Sequence, residues 1–261
     1  MNLYENFFQY IPVTVKISST RSVLPFSCLN FVFLLPICIW YSSCMDNKVI
    51  NRVFRILTQE VLAWQEPIVG RVAHEKDPFK ILIATMLSLR TKDSTTDEAA
   101  RRLFSLASTP FMLSDIPQPV VEEAIYPVGF YKTKARSILQ TARMIMEKHL
   151  GQVPDTMEEL LEFPGVGRKT ANLVLILGFD KMGICVDTHV HRITNRWGYV
   201  TTKTPDETEI VLRRVLPKRH WKQINNLLVP YGQNLCLPVN PSCSRCTINT
   251  YCDRVAVRRY R

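Results

Sequence analysis

Residues 163–171 read Phe163-Pro164-Gly165-Val166-Gly167-Arg168-Lys169-Thr170-Ala171, a two-glycine turn that hands a lysine to the start of an apolar helix. Glycine allows backbone shapes that side chains forbid. With no Cβ in the way, the N–H groups of Gly165 and Gly167 can come close to an anion, as the first turn of a helix does. Two readings are open at this point. One is an ordinary αα-hairpin with a solvated lysine. The other is an amine held beside a phosphate-binding turn, which points to chemistry on a nucleic acid backbone. The spacing alone does not choose between them.

Working outward from the hairpin, apolar residues recur at helical spacing through nearly all of the chain beyond Met45. Val49, Ile50, Val53, Phe54, Leu57, Val61 and Trp64 mark one amphipathic helix. Asp77 and Pro78 supply an N-cap and a first-turn proline for a helix over 79–89. A polar run over 91–96 leads into a helix over 97–106. Further helices are expected over 119–126 and 133–149, with a turn at Gly129-Phe130-Tyr131. Capping-box spacing from Asp155 to Glu158 opens a short helix over 157–162 that ends at Pro164. The second helix of the hairpin runs over 169–177 to Gly178, a box at Thr204 and Glu207 opens 207–215, and a last helix covers 221–231. Strand character is confined to the short piece 183–186. The fold class is therefore all-α.

The 261 residues carry 33 Lys and Arg against 23 Asp and Glu, a net charge of +10. A basic balance favours a polyanionic partner, nucleic acid before an anionic membrane. Residues 1–44 stand apart: Glu5, Lys16 and Arg21 are their only charged side chains, and 23–45 has none. The apolar run over 31–40 has the composition of a borderline membrane span or an uncleaved signal segment. Pro25, Asn30 and Pro36 interrupt it, which favours translation from Met45 with the upstream stretch a leader or mis-start. No membrane is expected as a partner of the remaining chain.

Cysteine usage divides in the same way. Cys28, Cys38 and Cys44 lie in the leader, Cys185 is alone in an apolar stretch, and Cys236, Cys243, Cys246 and Cys252 follow C-x6-C-x2-C-x5-C. This is not the disulfide framework of a small secreted protein; a reducing compartment and a metal site fit better. Four thiolates in one loop can close around zinc or hold a four-iron cluster.

Three motifs in order, the F-P-G-V-G-R-K-T-A turn, V-D-T-H-V-H-R over 186–192 and the cysteine spacing, resemble the endonuclease III family of helix–hairpin–helix DNA glycosylases and abasic-site lyases. The resemblance spans 49–252 and leaves out the leader. It implies that Lys169 is the nucleophile and Asp187, 18 residues further on, the catalytic aspartate. The chemistry accounts for both residue types. Breaking an N-glycosidic bond builds positive charge on the sugar, which a carboxylate stabilises. A neutral lysine amine attacks C1′ and forms a Schiff base, after which β-elimination cuts the strand. Lys169 must first lose its proton, by desolvation or to a base such as Asp187. The competing reading of Asp187 is an N-cap before Thr188.

The same resemblance implies double-stranded DNA with damaged bases or abasic sites as the partner, and a [4Fe-4S] cluster on Cys236, Cys243, Cys246 and Cys252. A monomer acting on the nucleoid in the cytoplasm is expected. Gly165 and Gly167 would hold the DNA backbone, and Arg168 and Lys134, with Lys132 and Arg136, would contact phosphates. His189 matches the family's V-D-T-H in an orienting or structural role. Where the family fills the gap left by a flipped base with a glutamine and a leucine, this chain has Arg90 and Phe130. Phe130 can wedge as leucine does; Arg90 is a departure that bears on the opposite-base preference. Two helical domains are expected, 71–181 around the hairpin and 45–70 with 182–261 around the cluster, with DNA across the cleft. The implied function is base excision of oxidised pyrimidines followed by strand cleavage. A mismatch or alkylbase glycosylase of the same fold, and a non-catalytic DNA-binding module with a structural metal, are the other readings the residues allow.

Overall fold

Short polar side chains answer the unpaired N–H groups at several helix starts, and these caps fix where the elements begin. In a computed structural model of the protein, which describes residues 45–261, Asp46 caps α1 (Asn47–Glu60) by accepting from the N–H groups of Lys48 and Val49 at 2.8 and 2.7 Å. After α2 (Ile68–Ala73), Asp77 does the same for α3 (Pro78–Ser88), accepting from Phe79 and Lys80 at 2.9 and 3.2 Å. Next come α4 (Asp93–Leu106), α5 (Pro110–Ser114), α6 (Gln118–Ile125) and the long α7 (Tyr131–His149). The hairpin pairs α8 (Met157–Leu161) with α9 (Arg168–Leu173), which runs on as a π-helical turn over Val174–Gly178. Then follow α10 (Thr188–Arg196), α11 (Pro205–Val215) and α12 (Ile224–Asn234). The leader expectations fall on residues 1–44 and lie outside the described residues.

Two apolar cores organise these elements within one compact unit. The first gathers Ile81, Leu82 and Leu87 of α3, Leu103 of α4, Ile138 and Leu139 of α7 and Ala171 and Val174 of the hairpin. The second gathers Phe54 and Leu57 of α1, Val190 and Ile193 of α10, Leu212 of α11 and Leu228 and Tyr231 of α12, with Trp197 nearly fully buried among them. A smaller cluster joins Leu173 and Ile176 to Cys185.

The all-α reading holds, with local corrections. No strand occurs among the described residues: 183–186 has no regular structure, and its buried Ile184, Cys185 and Val186 explain its strand-like composition. The capping box of α8 sits one residue later than expected, at Thr156 and Glu159, where Glu159 N–H donates to Thr156 Oγ1 at 3.3 Å. The polar run 91–96 is largely helix, because Asp93 opens α4 while its carboxylate accepts from Ile68 N–H at 3.1 Å. Two short helices, α2 and α5, have too few turns to show a period. Among the described residues no helix is long and apolar enough to cross a membrane.

Candidate active site

The hairpin turn depends on its two glycines for different reasons. Gly165 has φ +80°, a left-handed backbone that a side chain resists. Gly167 has an ordinary φ of −106° and caps α9, yet a Cβ built on it would find nothing within 4 Å. Its missing side chain therefore leaves open space beside the N-terminus of α9, where an anion can approach the backbone. Lys169 follows in the first turn of α9 and is partly exposed.

Asp187 reaches the same place from the second core. It is 8 % exposed and caps α10, its Oδ1 accepting from the N–H groups of His189 and Val190, each at 2.9 Å. The N-cap reading of Asp187 is thus a fact of the structure. It does not compete with a chemical role, because the capping bonds use Oδ1 alone. Lys169, Asp187, His189, Arg90, Phe130 and Lys134 all line one cleft of about 730 Å³. An amine and a carboxylate on the wall of one cleft can attack a sugar carbon and stabilise a developing cation.

His189 is oriented from behind. Arg192 Nη2 lies 3.1 Å from His189 Nδ1. Burial lowers the proton affinity of His189, against the pull of Asp187 and with the help of Arg192. Gly232 of α12 makes room for the ring, since a Cβ there would stand 2.3 Å from Nδ1.

Two residues expected on phosphates have partners within the protein, although the Arg168 side chain stays 42% exposed. The Arg168 guanidinium forks onto the nearly fully buried Glu209, Nε to Oε2 at 3.1 Å and Nη2 to Oε1 at 2.8 Å. Arg213 holds the same carboxylate with Nε to Oε1 at 3.0 Å. Burial opposes the charge on Glu209, but the hydrogen bonds from Arg168 and Arg213 outweigh it and hold its pKa below the ordinary value. Lys134 turns inward too, with Nζ donating to Leu87 O, Leu89 O and Thr91 Oγ1 at 2.7, 2.5 and 3.1 Å. Burial lowers its pKa to about 8. Lys132 and Arg136 on α7 remain exposed.

Arg90 and Phe130 form two tips on the cleft wall. Both are non-glycine residues with left-handed backbone, φ 52° and 60°, an arrangement that costs on the order of 1–3 kcal/mol each unless neighbours enforce it. The Arg90 guanidinium stacks over the Phe130 ring at 5.8 Å, and that ring is 65 % exposed. Composition and periodicity do not single out Asn225, Val229 and Gln233 of α12, which also line the cleft; their spacing reads as an unremarkable helix surface.

The four C-terminal cysteines ring a separate cavity with Arg196, Tyr231 and Arg254. Arg196 Nη1 donates to Cys236 Sγ at 3.4 Å, and Tyr231 Oη lies 2.8 Å from Cys246 Sγ. Among the described residues no three His, Cys, Asp or Glu side chains converge on one point as a single metal ion requires. An all-sulfur donor set spread round a cavity and flanked by arginines suits a multi-atom anionic cluster better than one zinc ion.

The HhH-GPD superfamily base excision DNA repair protein family matches residues 83–218. Endonuclease III of Thermotoga maritima is 46% identical over 179 residues, which is 69% of this chain and 84% of that protein. Endonuclease III homolog 2, chloroplastic, of Arabidopsis thaliana is 44% identical over 183 residues, 67% of this chain but 47% of the longer plant protein. A trapped endonuclease III–DNA covalent intermediate, in an estranged-adenine complex, superposes with a TM-score of 0.72 at 30% identity, covering 80% of this chain and 97% of that one.

Proposed function

Because this chain belongs to the endonuclease III family of HhH-GPD base excision DNA repair proteins, we propose that Lys169 and Asp187 carry out its reaction on oxidised pyrimidines in duplex DNA. The chain is a base excision repair DNA glycosylase with abasic-site lyase activity. The observation that carries the residue assignment is that the two side chains line one cleft, one delivered by the hairpin and the other by the N-cap of α10.

The Asp187 carboxylate faces a sugar that gains positive charge as the base leaves. The amine of Lys169 bonds to C1′, and loss of the ring oxygen's bond to C1′ gives an imine. Removal of a C2′ proton then expels the 3′ oxygen and cuts the strand. His189, its proton affinity lowered by burial and its ring held by Arg192, orients the site beside Asp187. Backbone N–H groups at Gly165 and Gly167 take a DNA phosphate, and Arg168 serves that turn by anchoring it to Glu209. Arg90 and Phe130 occupy the space left by the everted base.

We assign a [4Fe-4S] cluster to Cys236, Cys243, Cys246 and Cys252, where it closes the loop against the second core and takes no part in the bond breaking. The two cores correspond to two domains with the DNA lying across the cleft, and the enzyme acts as a monomer on the nucleoid.

Arg90 supports one second reading, a mismatch or alkylbase specificity, because a guanidinium only donates hydrogen bonds where glutamine both donates and accepts. Duplexes carrying thymine glycol, a mismatched thymine or an alkylated base separate the two. Incision at thymine glycol is expected. Incision at the other two alone would overturn the oxidised-pyrimidine assignment.

A further inference from the structure

Lys134 is the one basic residue of the cleft wall whose donors are all spent inside the protein. It stands in the first turn of α7 and reaches across to the end of α3. Two of its acceptors, the carbonyls of Leu87 and Leu89, belong to the C-terminal end of that helix, where carbonyls lack helical partners and a cation is favoured. The third acceptor, Thr91 Oγ1, also accepts from Gly129 N–H at 3.2 Å and donates to Leu89 O at 3.3 Å. Gly129 presses so closely on the other turn that a Cβ on it would stand 2.8 Å from Arg90 O. The tips carried by the two turns, Arg90 and Phe130, touch through their side chains as well.

From this arrangement we infer that Lys134 is a positioning residue, which locks the Arg90 and Phe130 turns into one rigid clamp for duplex DNA and makes no phosphate contact itself. The inference rests on the reading of those two tips as the elements that enter the duplex. Without the ammonium, the end of α3 and the Thr91 hydroxyl lose their shared tether, and both left-handed turns are free to relax. Chemistry at Lys169 lies outside that network, so the loss falls on engagement of the duplex.

The test uses the full chain with Lys134→Met and, separately, Thr91→Val, which breaks the same network and leaves the charge in place. Binding to a duplex with a tetrahydrofuran abasic analogue is followed by fluorescence anisotropy across a salt series. Steady-state incision of an abasic duplex is measured alongside. Both variants should bind about tenfold more weakly or worse, with KM raised and kcat held within about twofold, the pattern of lost uniform binding. The salt slope should stay at the parent value, because no phosphate charge is lost. A slope shallower by about 0.9 in Lys134→Met would identify a direct phosphate contact and overturn the inference. Unchanged affinity in both variants would overturn it equally. If Lys134→Met does not fold, the Thr91→Val result decides alone: weaker binding with raised KM supports the clamp, and parent-like binding refutes it. Failure of the glycosylase reading would appear elsewhere, as absence of incision by the parent protein, while binding to the tetrahydrofuran duplex would still report on the clamp.

Discussion

At position 187 one carboxylate caps α10 and, in the proposed reaction, also stabilises the sugar cation, and the two duties can be separated. Asparagine caps a helix about as well as aspartate, whereas alanine costs about 1 kcal/mol. Asp187→Asn should therefore keep its urea midpoint near that of the parent while its glycosylase rate falls by roughly a hundredfold or more, the scale of losing one electrostatic stabiliser. Asp187→Ala should lose both. An asparagine variant with parent-like turnover would remove Asp187 from the chemistry. The hairpin that carries Lys169 and the cap that carries Asp187 are legible in the sequence because each is a short local motif, and the structure brings both residues to one cleft. The internal partners of Arg168 and Lys134 are not legible in the sequence, because their acceptors lie far along the chain, Glu209 in one case and the end of α3 in the other. Local spacing carries no record of such partners.

At the scale of elements, the hairpin and α11 make the informative pair. Gly165→Ala forces a side chain into a left-handed turn and should cost about 1–2 kcal/mol of stability. Gly167→Ala meets no neighbour and no strained φ, so its stability should be unchanged while its DNA affinity falls. If both variants bind DNA like the parent, the turn is not a backbone contact. The Arg168–Glu209–Arg213 group ties α9 to α11, and its pH dependence has a definite sign. The folded pKa of Glu209 lies below its ordinary value of 4.5, so its contribution is fully present above about pH 4.5 and disappears as pH falls through the lower folded value. Glu209→Gln should cost on the order of 2 kcal/mol at neutral pH and show a flatter acid limb. An acid limb as steep as the parent's would place that loss elsewhere. Long amphipathic helices such as α7 were legible from period alone. The one- to two-turn helices α2 and α5 were not, and the cap of α8 falls on Thr156 rather than the expected Asp155 because both are good capping residues.

Across the whole molecule, two cores present one wall each to the active-site cleft, and the second core also adjoins the cysteine loop through Tyr231, Cys236, Cys246 and Cys252. A brown protein with iron and sulfide by elemental analysis is expected. Cys252→Ser should bleach it and lower the thermal midpoint by several degrees, since packing of the second core is coupled to the loop. A colourless parent containing stoichiometric zinc would contradict the cluster assignment. The all-helical class and the motif order were readable in one dimension. The convergence of α9, α10, α12 and the two tips on a single cleft was not, because packing alone brings them together. The central claim is that Lys169 becomes covalently joined to the sugar, and borohydride trapping tests it directly. Incubated with duplex DNA bearing an abasic site and reduced in place, the parent protein should give a stable adduct, while Lys169→Gln should bind the duplex and give none. An adduct that survives in Lys169→Gln, or its absence from the parent, would contradict the account.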